Sequence, residues 1–438
     1  MKHLKHFKNV VDYQNYLKSD DYIKPNVSYA EDTDTVYYNP HNEEDDDFII
    51  MTSESNPAVM DVCYYQGWAS SPDVMYKSEA EKVTDIGTAF QGLQGSNDLT
   101  ETFTSFDEFK YFTGVTSIGN QAFEGCSNLT SIVIPDSVTY IGANAFGSCP
   151  GLTSVTIGSG VTRIDNYAFS YCEGLTSIVI PDSVTSIGVN AFSGCSGLTS
   201  IVIPDSVTSI GKETFRYCSS LTSVHIGSSV TTIGDRAFED CSGLTSITIP
   251  DSVTSIGKYA FYNCDELNSA TIGSGVTIID NYAFQSCYSL TSINIPNSVT
   301  TIGECAFQYC ENLTSINIPD SVTSIGKQAF QSCYSLTSIN IPDGVTSIGS
   351  STFDRCYSLT SIVIPNTVTS IGSYAFNYCS GLTSITCHAP TAPSIKSNTF
   401  NNIKQNGILY VPTGSDYSSW MSRDPYYLGR YNWTIQYI

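Results

Sequence analysis

Twelve of the fifteen cysteines recur every 23 residues, from Cys126 to Cys379, and are the side chains with the clearest capacity for chemistry. If successive repeats stack about 4.8 Å apart, as neighbouring strands do, the thiols form one column that is close enough for disulfides. Each interior thiol would then have two equivalent neighbours, and the sequence has no CxxC pair of the kind that binds zinc. We therefore expect buried free thiols, with disulfides or a metal site as the alternatives.

Histidine and aspartate give little indication of catalysis. Only His225 among the five histidines lies inside the regular repeats, and a nucleophile there would also need an oriented base and a third group. An interrupted column of aspartates begins at Asp136; we expect a solvated edge, although carboxylates this close could also collect cations. We predict that the protein is not an enzyme and has no cofactor and no metal site. A polysaccharide-degrading activity is the alternative.

A second column with the same interval is polar and uncharged. It follows an apolar stretch with Val179 and Val202, and a serine stands two residues before each of its members. A regular, extended array of hydroxyls and amides suits many weak hydrogen bonds to a long or repeated partner. We take six residues of this column as the candidate binding surface: His225, Thr248, Thr271, Asn294, Asn317 and Asn340.

The element that must position both columns is a repeat of 23 residues. Its twelve copies start at leucines from Leu129 to Leu382 and read L-T-S-I-x-I-P-D-S-V-T-S-I-G-x-x-A-F-x-x-C-x-x. Seven apolar positions (1, 4, 6, 10, 13, 18 and 21) indicate that each copy adds one slice to a common interior. Positions 3 to 6 predict a short strand whose positions 3 and 5 face outward, and positions 10 to 13 predict a second extended segment.

Turns connect these segments. Pro-Asp at positions 7 and 8 predicts a turn, and the three copies with glycine in place of proline, at Gly158, Gly227 and Gly273, are expected to have a looser one. The second segment ends at the glycine of position 14. The Ala-Phe step at positions 17 and 18 predicts a short helical turn that closes the coil.

The repeats resemble the BspA-like leucine-rich repeats, whose units read LxxIxIPxxVxxIGxxAFxxC, from about Val115 to Ile385. The resemblance implies a leucine-rich repeat solenoid, β-rich α/β with short strands and short helical turns, preceded by a small α+β domain and closed by a β-type cap. Such repeats occur mostly on surface proteins of anaerobic bacteria of gut and mouth and of some protozoan parasites, where they are associated with adhesion. The resemblance therefore implies binding rather than catalysis.

Four regions are predicted along the chain. Residues 1–47 form an attachment or oligomerisation segment with an acidic linker, residues 48–112 a small helical cap region with a first degenerate repeat, residues 113–386 the twelve-unit solenoid and residues 387–438 the C-terminal cap. In the first region NVSYAED and DTVYYNP predict a hairpin. In the last, GILYVP and YNWTIQYI predict two strands, and Trp420 and Trp433 a packing cap, with a sugar-binding platform as the alternative.

Two helices are predicted in residues 48–112. Asn56-Pro57 predicts an N-cap and first helical position, and a second short turn is expected to start at Ser78 with Glu81 three residues on. The stretch from Val83 to Phe90 matches a decayed repeat.

The charge balance excludes some partners. The 42 acidic and 19 basic residues give a net charge of -23, which disfavours nucleic acid and anionic lipid. The sequence has neither a run of 18 apolar residues nor a signal-peptide pattern, so we expect no membrane insertion and no classical secretory signal.

The start of the chain, with PNVSYAEDTDTVYYNP, resembles the short leader of many proteins of gut-bacterial phages and prophages, which implies a virion location; a bacterial cell surface is the other possibility. We predict a non-enzymatic adhesion protein for a cell-surface protein or glycan. Residues 1–47 would bind virion or surface-assembly proteins, or form a homo-oligomer. A purely structural spacer is the alternative.

Overall fold

The computed structural model describes residues 48–91, 103–396, 398–424 and 427–438, together with the backbone of residues 5–7, 26–30 and 35–39. The chain divides into two compact units, Met1–Thr162 and Arg163–Ile438. Coils of a β-solenoid, about 14 turns in all, account for most of the described chain. This confirms the predicted leucine-rich repeat fold class.

The first unit contains two α-helices, α1 (Pro57–Tyr65) and α2 (Lys77–Ala80), and a 3₁₀ turn at Asp107–Tyr111. Its strands are β1 (Lys5–Phe7), β2 (Asn26–Ala30), β3 (Thr35–Asn39), β4 (Ile49–Thr52), β5 (Val74–Tyr76), β6 (Ser105–Phe106), β7 (Ser117–Ile118), β8 (Ser131–Val133), β9 (Tyr140–Ile141) and β10 (Ser154–Thr156). β6, β8 and β10 pair in parallel, as do β7 and β9, while β4 and β5 are antiparallel.

The backbone of the N-terminal region confirms the predicted hairpin. β2 and β3 pair antiparallel, with Asn26 opposite Asn39, and β1 adds to the other side of β3. The side chains of residues 1–47, and with them the apolar positions and acidic linker on which the predicted attachment segment depends, lie outside the described residues.

Helix α1 begins where the sequence predicts, with Pro57 in the first turn and Asn56 at the N-cap position. The Asn56 side chain does not cap the helix; its Nδ2 donates to the Ser105 carbonyl at 2.9 Å. The N-cap of helix α2 is Tyr76, two residues before the predicted Ser78. Glu79, rather than the predicted Glu81, accepts the Tyr76 N–H at 2.9 Å, because it stands three residues after the true N-cap.

In the second unit the strands of the first extended segment are β13 (Ser200–Ile203), β15 (Ser223–Ile226), β17 (Ser246–Thr248), β19 (Ser269–Thr271), β21 (Ser292–Asn294), β23 (Ser315–Ile316), β25 (Ser338–Ile339), β27 (Ser361–Ile364) and β29 (Ser384–Cys387). Those of the second segment are β11 (Arg163–Ile164), β12 (Ser186–Ile187), β14 (Ser209–Ile210), β16 (Thr232–Ile233), β18 (Ser255–Ile256), β20 (Ile278–Ile279), β22 (Thr301–Ile302), β24 (Ser324–Ile325), β26 (Ser347–Ile348) and β28 (Ser370–Ile371). β30 (Ile408–Val411) and β31 (Thr434–Tyr437) are the two strands predicted in the C-terminal cap.

All strand pairs of the second unit are parallel among its described residues, with equivalent positions opposite each other in the regular coils. Ser200 lies opposite Ser223, and Ser209 opposite Thr232. Positions 4 and 6 of β13 and β27 are buried and positions 3 and 5 exposed, as predicted from the alternation of side chains along a strand. This constant register gives every coil the same outward positions.

The core consists of stacked identical side chains. The phenylalanines of position 18 form a column of parallel rings, with centroids 5.1 to 5.8 Å apart from Phe169 to Phe400. In the first unit Phe90 stacks on Phe123 at 5.2 Å, and Phe123 on Phe146 at 5.0 Å. Phe90 and Phe400 belong to the decayed repeats, so each of these repeats contributes a ring to the stack of its own unit.

The Ala-Phe segment differs from the helical turn that was predicted. Positions 16 and 20 are left-handed, as at Tyr259 (φ 58°) and Asn263 (φ 55°). The N–H groups of Tyr259, Phe261 and Asn263 donate to carbonyls of the next coil, at 3.2, 2.8 and 3.0 Å. A helix would direct these N–H groups along its own axis, whereas the left-handed residues turn them toward the neighbouring coil.

The Gly-Ser copies are tighter than predicted. A Cβ atom on Gly273 would lie 2.3 Å from the Pro250 carbonyl oxygen, so only glycine allows the two coils to approach this closely. Asp251 Oδ1 of the preceding coil accepts hydrogen bonds from the Ser274 N–H at 2.7 Å and the Ser274 hydroxyl at 3.0 Å. Glycine at position 7 therefore allows an additional bond between coils.

The tryptophans of the C-terminal cap are packing residues, as predicted. Trp420 and Trp433 are buried, and their Nε1 atoms donate to the carbonyls of Pro393 at 2.9 Å and Lys404 at 2.8 Å. A sugar-binding platform needs an accessible ring, which neither residue offers.

Candidate binding face

The six candidate residues lie in consecutive coils of the second unit and all point outward. Thr248, Thr271 and Asn294 are direct partners in β17, β19 and β21, and β15, β23 and β25 lie alongside in the same series. Because neighbouring strands are about 4.8 Å apart, a ligand would meet one such side chain per coil. The structure therefore brings all six predicted residues into a single exposed row, and their role in binding stays a prediction: His225, Thr248, Thr271, Asn294, Asn317 and Asn340.

Exposed valines flank this row. Val202 pairs with His225 and is 59% exposed, and Val179, one coil earlier, is 79% exposed. At the other end Val363 is bridged to Asn340. Positions 3 and 5 of the twelve copies contain no aspartate, glutamate, lysine or arginine, so the net charge of -23 lies elsewhere. The face combines hydroxyls, amides and small apolar patches, which suits an uncharged ligand surface.

Many of the other hydroxyls hold the coils together. At position 2 the threonine Oγ1 donates to the carbonyl of the preceding coil, as from Thr222 to Thr199 at 3.0 Å, and position 11 repeats this bond. At position 9 the Ser252 hydroxyl donates to the Val230 carbonyl at 2.7 Å. The high serine and threonine content is therefore largely structural, whereas the serines and threonines of positions 3, 5 and 12 point outward.

The cysteines form buried columns of free thiols rather than a reactive site. All fifteen are free and buried. In the column, Sγ donates to the carbonyl of the phenylalanine one coil earlier, as from Cys264 to Phe238 at 3.3 Å. This hydrogen bond was not predicted from the sequence. Burial raises the pKa of the column thiols from Cys195 to Cys379, and it raises the pKa of Cys305, which lies outside the column, to about 11. Thiolates, the nucleophilic and metal-binding form, are thereby disfavoured.

Three aspartates of position 8 bond to the next coil. Asp205 Oδ1 accepts from the Ser228 N–H at 2.6 Å and the Ser228 hydroxyl at 3.0 Å. These bonds, the backbone bond first, lower the pKa of Asp205, and equivalent bonds lower the pKa of Asp136 and Asp251. Across the described ranges no three histidine, cysteine, aspartate or glutamate side chains group as metal ligands.

A polar column at position 19 was not predicted from the sequence. Gln331 Nε2 and Asn377 Nδ2 both donate to the carboxylate of Asp354, each at 2.8 Å. Gln285, Gln308 and Gln331 are bonded amide to amide, and Asn401 Nδ2 donates to Asn377 Oδ1 at 2.9 Å. The sequence does contain a run of glutamine, aspartate and asparagine at 23-residue intervals that could have indicated this column. The run was not recognised because position 19 varies in the earlier copies.

Comparison with known proteins identifies the repeats. The profile of the BspA type leucine rich repeat region matches residues 100–222, 208–335 and 300–414. The chain belongs to the BspA-type leucine-rich repeat family. These matches span the region in which the resemblance was seen in the sequence. No curated protein matches the chain.

Solved structures of leucine-rich repeat proteins are similar to this chain. A leucine-rich repeat protein from Bacteroides ovatus is 30% identical over 74% of this chain and 88% of its own, with a TM-score of 0.59. A leucine rich cell surface protein from Faecalibacterium prausnitzii is 37% identical over 62% of this chain and 83% of its own, with a TM-score of 0.42.

Proteins with BspA-type repeats are typically binding proteins of the cell surface. Of the helices in the described part of this chain, none has the length and apolar character needed to cross a bilayer.

Proposed function

We propose that this BspA-type repeat protein is a non-enzymatic adhesion protein whose strand face binds a protein or glycan on a cell surface. The observation that supports this proposal is the row of outward hydroxyl, imidazole and amide groups, one per coil, with valines at both ends. Four of the six groups sit on strands held in register by their neighbours, and Asn317 and Asn340 directly follow strands β23 and β25. Little conformational entropy is therefore lost when a ligand binds.

The affinity would come from repetition. A single hydrogen bond contributes about 0.5 to 1.5 kcal/mol, too little for adhesion, but a partner that spans several coils adds such bonds within one complex. The absence of charged side chains at positions 3 and 5 suits the uncharged parts of a glycan or the backbone groups of a protein.

We also propose that residues 1–47 attach the protein to a phage particle or to a bacterial surface assembly, leaving the repeats to project from it. The support is their different composition: they do not match the repeat and include the acidic run EEDDD. Deleting residues 1–47 should leave the unfolding of the repeats unchanged and abolish incorporation into the assembly. Collapse of the repeats would instead show that the segment is a folding cap.

The face is tested by replacing Asn294, Asn317 and Asn340 together with aspartate and measuring binding of the labelled protein to intact bacterial and epithelial cells. We expect binding to weaken about tenfold or more, because three hydrogen-bonding amides become carboxylates. The matched control places three carboxylates at other exposed positions outside positions 3 and 5: Asn312→Asp, Ser358→Asp and Asn366→Asp.

The two variants separate the possible outcomes. Loss of binding only in the first supports the adhesive face, and equal loss in both indicates a general effect of charge. Unchanged binding in both variants, or no binding by the unmodified protein, favours a spacer. Turnover of a glycan by the unmodified protein would establish an enzyme instead.

A further inference from the structure

Strand β31 has an open edge. The N–H groups of Thr434 and Ile438 donate to β30, at 3.1 Å to Gly407 and 2.9 Å to Val411. Because the direction of backbone groups alternates along a strand, Ile435 and Tyr437 between them direct their N–H and C=O groups to the opposite edge. Within the described residues no strand pairs with that edge, since β31 stands last in the order β27, β29, β30, β31.

The apolar side of the same strand is incompletely covered. Ile435 and Tyr437 lie beside Leu409 and Val411 of β30, both of which are fully buried. Tyr437 is nevertheless 55% exposed, and Ile438, whose side chain lies on the other face, is 54% exposed. Edges of sheets in soluble proteins are commonly protected by charged residues or proline, and the stretch Thr434–Ile438 contains neither. Unpaired backbone groups and exposed apolar side chains thus coincide on one strand.

We propose that β31 pairs with β31 of a second copy of this chain, antiparallel about a two-fold axis at Gln436. This register places Ile435 opposite Tyr437 of the partner copy on both sides of the axis. In an antiparallel sheet, the two residues of a hydrogen-bonded pair each donate an N–H to the other's C=O. The two Ile435–Tyr437 pairs therefore form four backbone hydrogen bonds between the copies. Gln436 then lies directly opposite its own copy, at about 4.5 Å between Cα atoms.

The charge distribution favours a second copy as the occupant. Residues 387–438 contain four basic and two acidic residues, a net charge of +2, although the whole chain carries -23. Two copies that approach through this region bring together the least charged of the four regions, so their mutual repulsion is weaker than that between two acidic regions. The contact also continues an existing four-stranded sheet.

Charge reversal at the axis tests the pairing. Gln436→Lys and Gln436→Glu each place like charges opposite each other in the proposed dimer, and Gln436 is exposed, so neither variant affects the core. Sedimentation velocity of the full chain over a concentration series should show a mass that rises toward twice 47.5 kDa for the unmodified protein. Each variant alone should stay monomeric, and an equimolar mixture of the two should recover the dimer.

A backbone variant gives an independent measurement. Tyr437→Pro removes one outward N–H at a position where an edge strand tolerates proline, and Tyr437→Val retains it. We expect the proline variant to lose dimerisation and the valine variant to keep it, with equal unfolding temperatures. An unmodified protein that stays monomeric at all concentrations overturns the proposal. Variants that associate like the unmodified protein overturn it too, because they assign self-association to another surface.

Discussion

The cysteine of position 21 satisfies two requirements at once. It is small and apolar enough for a closely packed interior, and its S–H donates to a phenylalanine carbonyl one coil earlier, as from Cys310 to Phe284 at 3.3 Å. Alanine would fill a similar space but lose this hydrogen bond, at a cost of about 0.5 to 1.5 kcal/mol. The Phe284 carbonyl would keep the bond from the Cys287 N–H at 3.4 Å. The residue is therefore a structural hydrogen-bond donor, and its regular recurrence does not indicate redox chemistry.

The thiols are predicted to be unreactive in the folded protein. All fifteen are buried, and burial raises the pKa of Cys218, Cys241 and Cys264, so both access and the reactive thiolate are lacking. Titration with a thiol reagent at pH 8 should label few thiols in native buffer and all fifteen in guanidinium chloride. Rapid labelling without denaturant would contradict the stacked column.

The aspartates that precede Gly-Ser copies are predicted to stabilise the fold in a pH-dependent way. Hydrogen bonds from Ser228 lower the pKa of Asp205, so its contribution is present above the unfolded pKa of about 3.9 and is lost as the pH falls through the folded value. Asp205→Ala should lower the melting temperature at pH 7, and the difference from the unmodified protein should shrink toward pH 3. Asp343→Ala is the control, because a Pro-Asn copy follows it, and should show a smaller change.

At the scale of the element, the column at position 19 joins coils through their side chains. Asp354 is only 7% exposed, and its carboxylate accepts hydrogen bonds from Gln331 of the preceding coil and Asn377 of the following coil. Amides can both donate and accept, so they extend the column in either direction from this carboxylate.

Replacement of Asp354 is predicted to be costly. Asp354→Leu removes the acceptor of the buried Asn377 amide and of the half-buried Gln331 amide, and should reduce the free energy of unfolding by about 2 to 4 kcal/mol. Asp354→Asn should cost less, because the amides on one side can reverse and restore the pattern. Urea denaturation compares the two variants; equal losses would show that shape rather than hydrogen bonding matters here.

The strands and core could be predicted from the sequence because each buried position keeps one residue type in nearly every copy. The left-handed turn residues could not, since Tyr259, Asn263 and Ser286 are not the glycines that usually mark positive φ. The position-19 column was missed because its residues differ from coil to coil and become partners only after stacking. The outward direction of the position-5 side chains, as at Asn294, was predicted correctly. The ligand could not be predicted, because its structure is not encoded in this chain.

At the scale of the whole molecule, the protein is predicted to lose stability in mild alkali. Burial raises the pKa of the nine column thiols from Cys195 to Cys379, so the folded state keeps protons that the unfolded chain releases above about pH 8.5. Their stabilising contribution is present below that pH and is lost as the pH rises toward the folded values. Each such thiol contributes a decline of about 1.4 kcal/mol per pH unit, and many act together.

Urea midpoints at pH 7, 8, 9 and 9.5 should therefore fall increasingly steeply. A variant with Cys241, Cys264 and Cys287 replaced by alanine serves as the control: it should be less stable at pH 7 and lose less stability per pH unit. A flat profile for the unmodified protein would contradict the buried neutral thiols.

The hydroxyl bonds between coils also bear on how such a chain can change its length. In most regular coils the threonine of position 2 donates to the residue 23 places earlier, and in several coils the serine of position 9 donates to the residue 22 places earlier. A tandem duplication of one unit in the gene would therefore recreate these bonds at the new junctions, and an in-frame deletion of one unit would rejoin them. Unequal recombination between near-identical repeats would yield folded proteins that differ in length by whole coils. The distance that the solenoid spans could then vary among related strains. An insertion of the same size in an ordinary globular domain would instead reduce its stability.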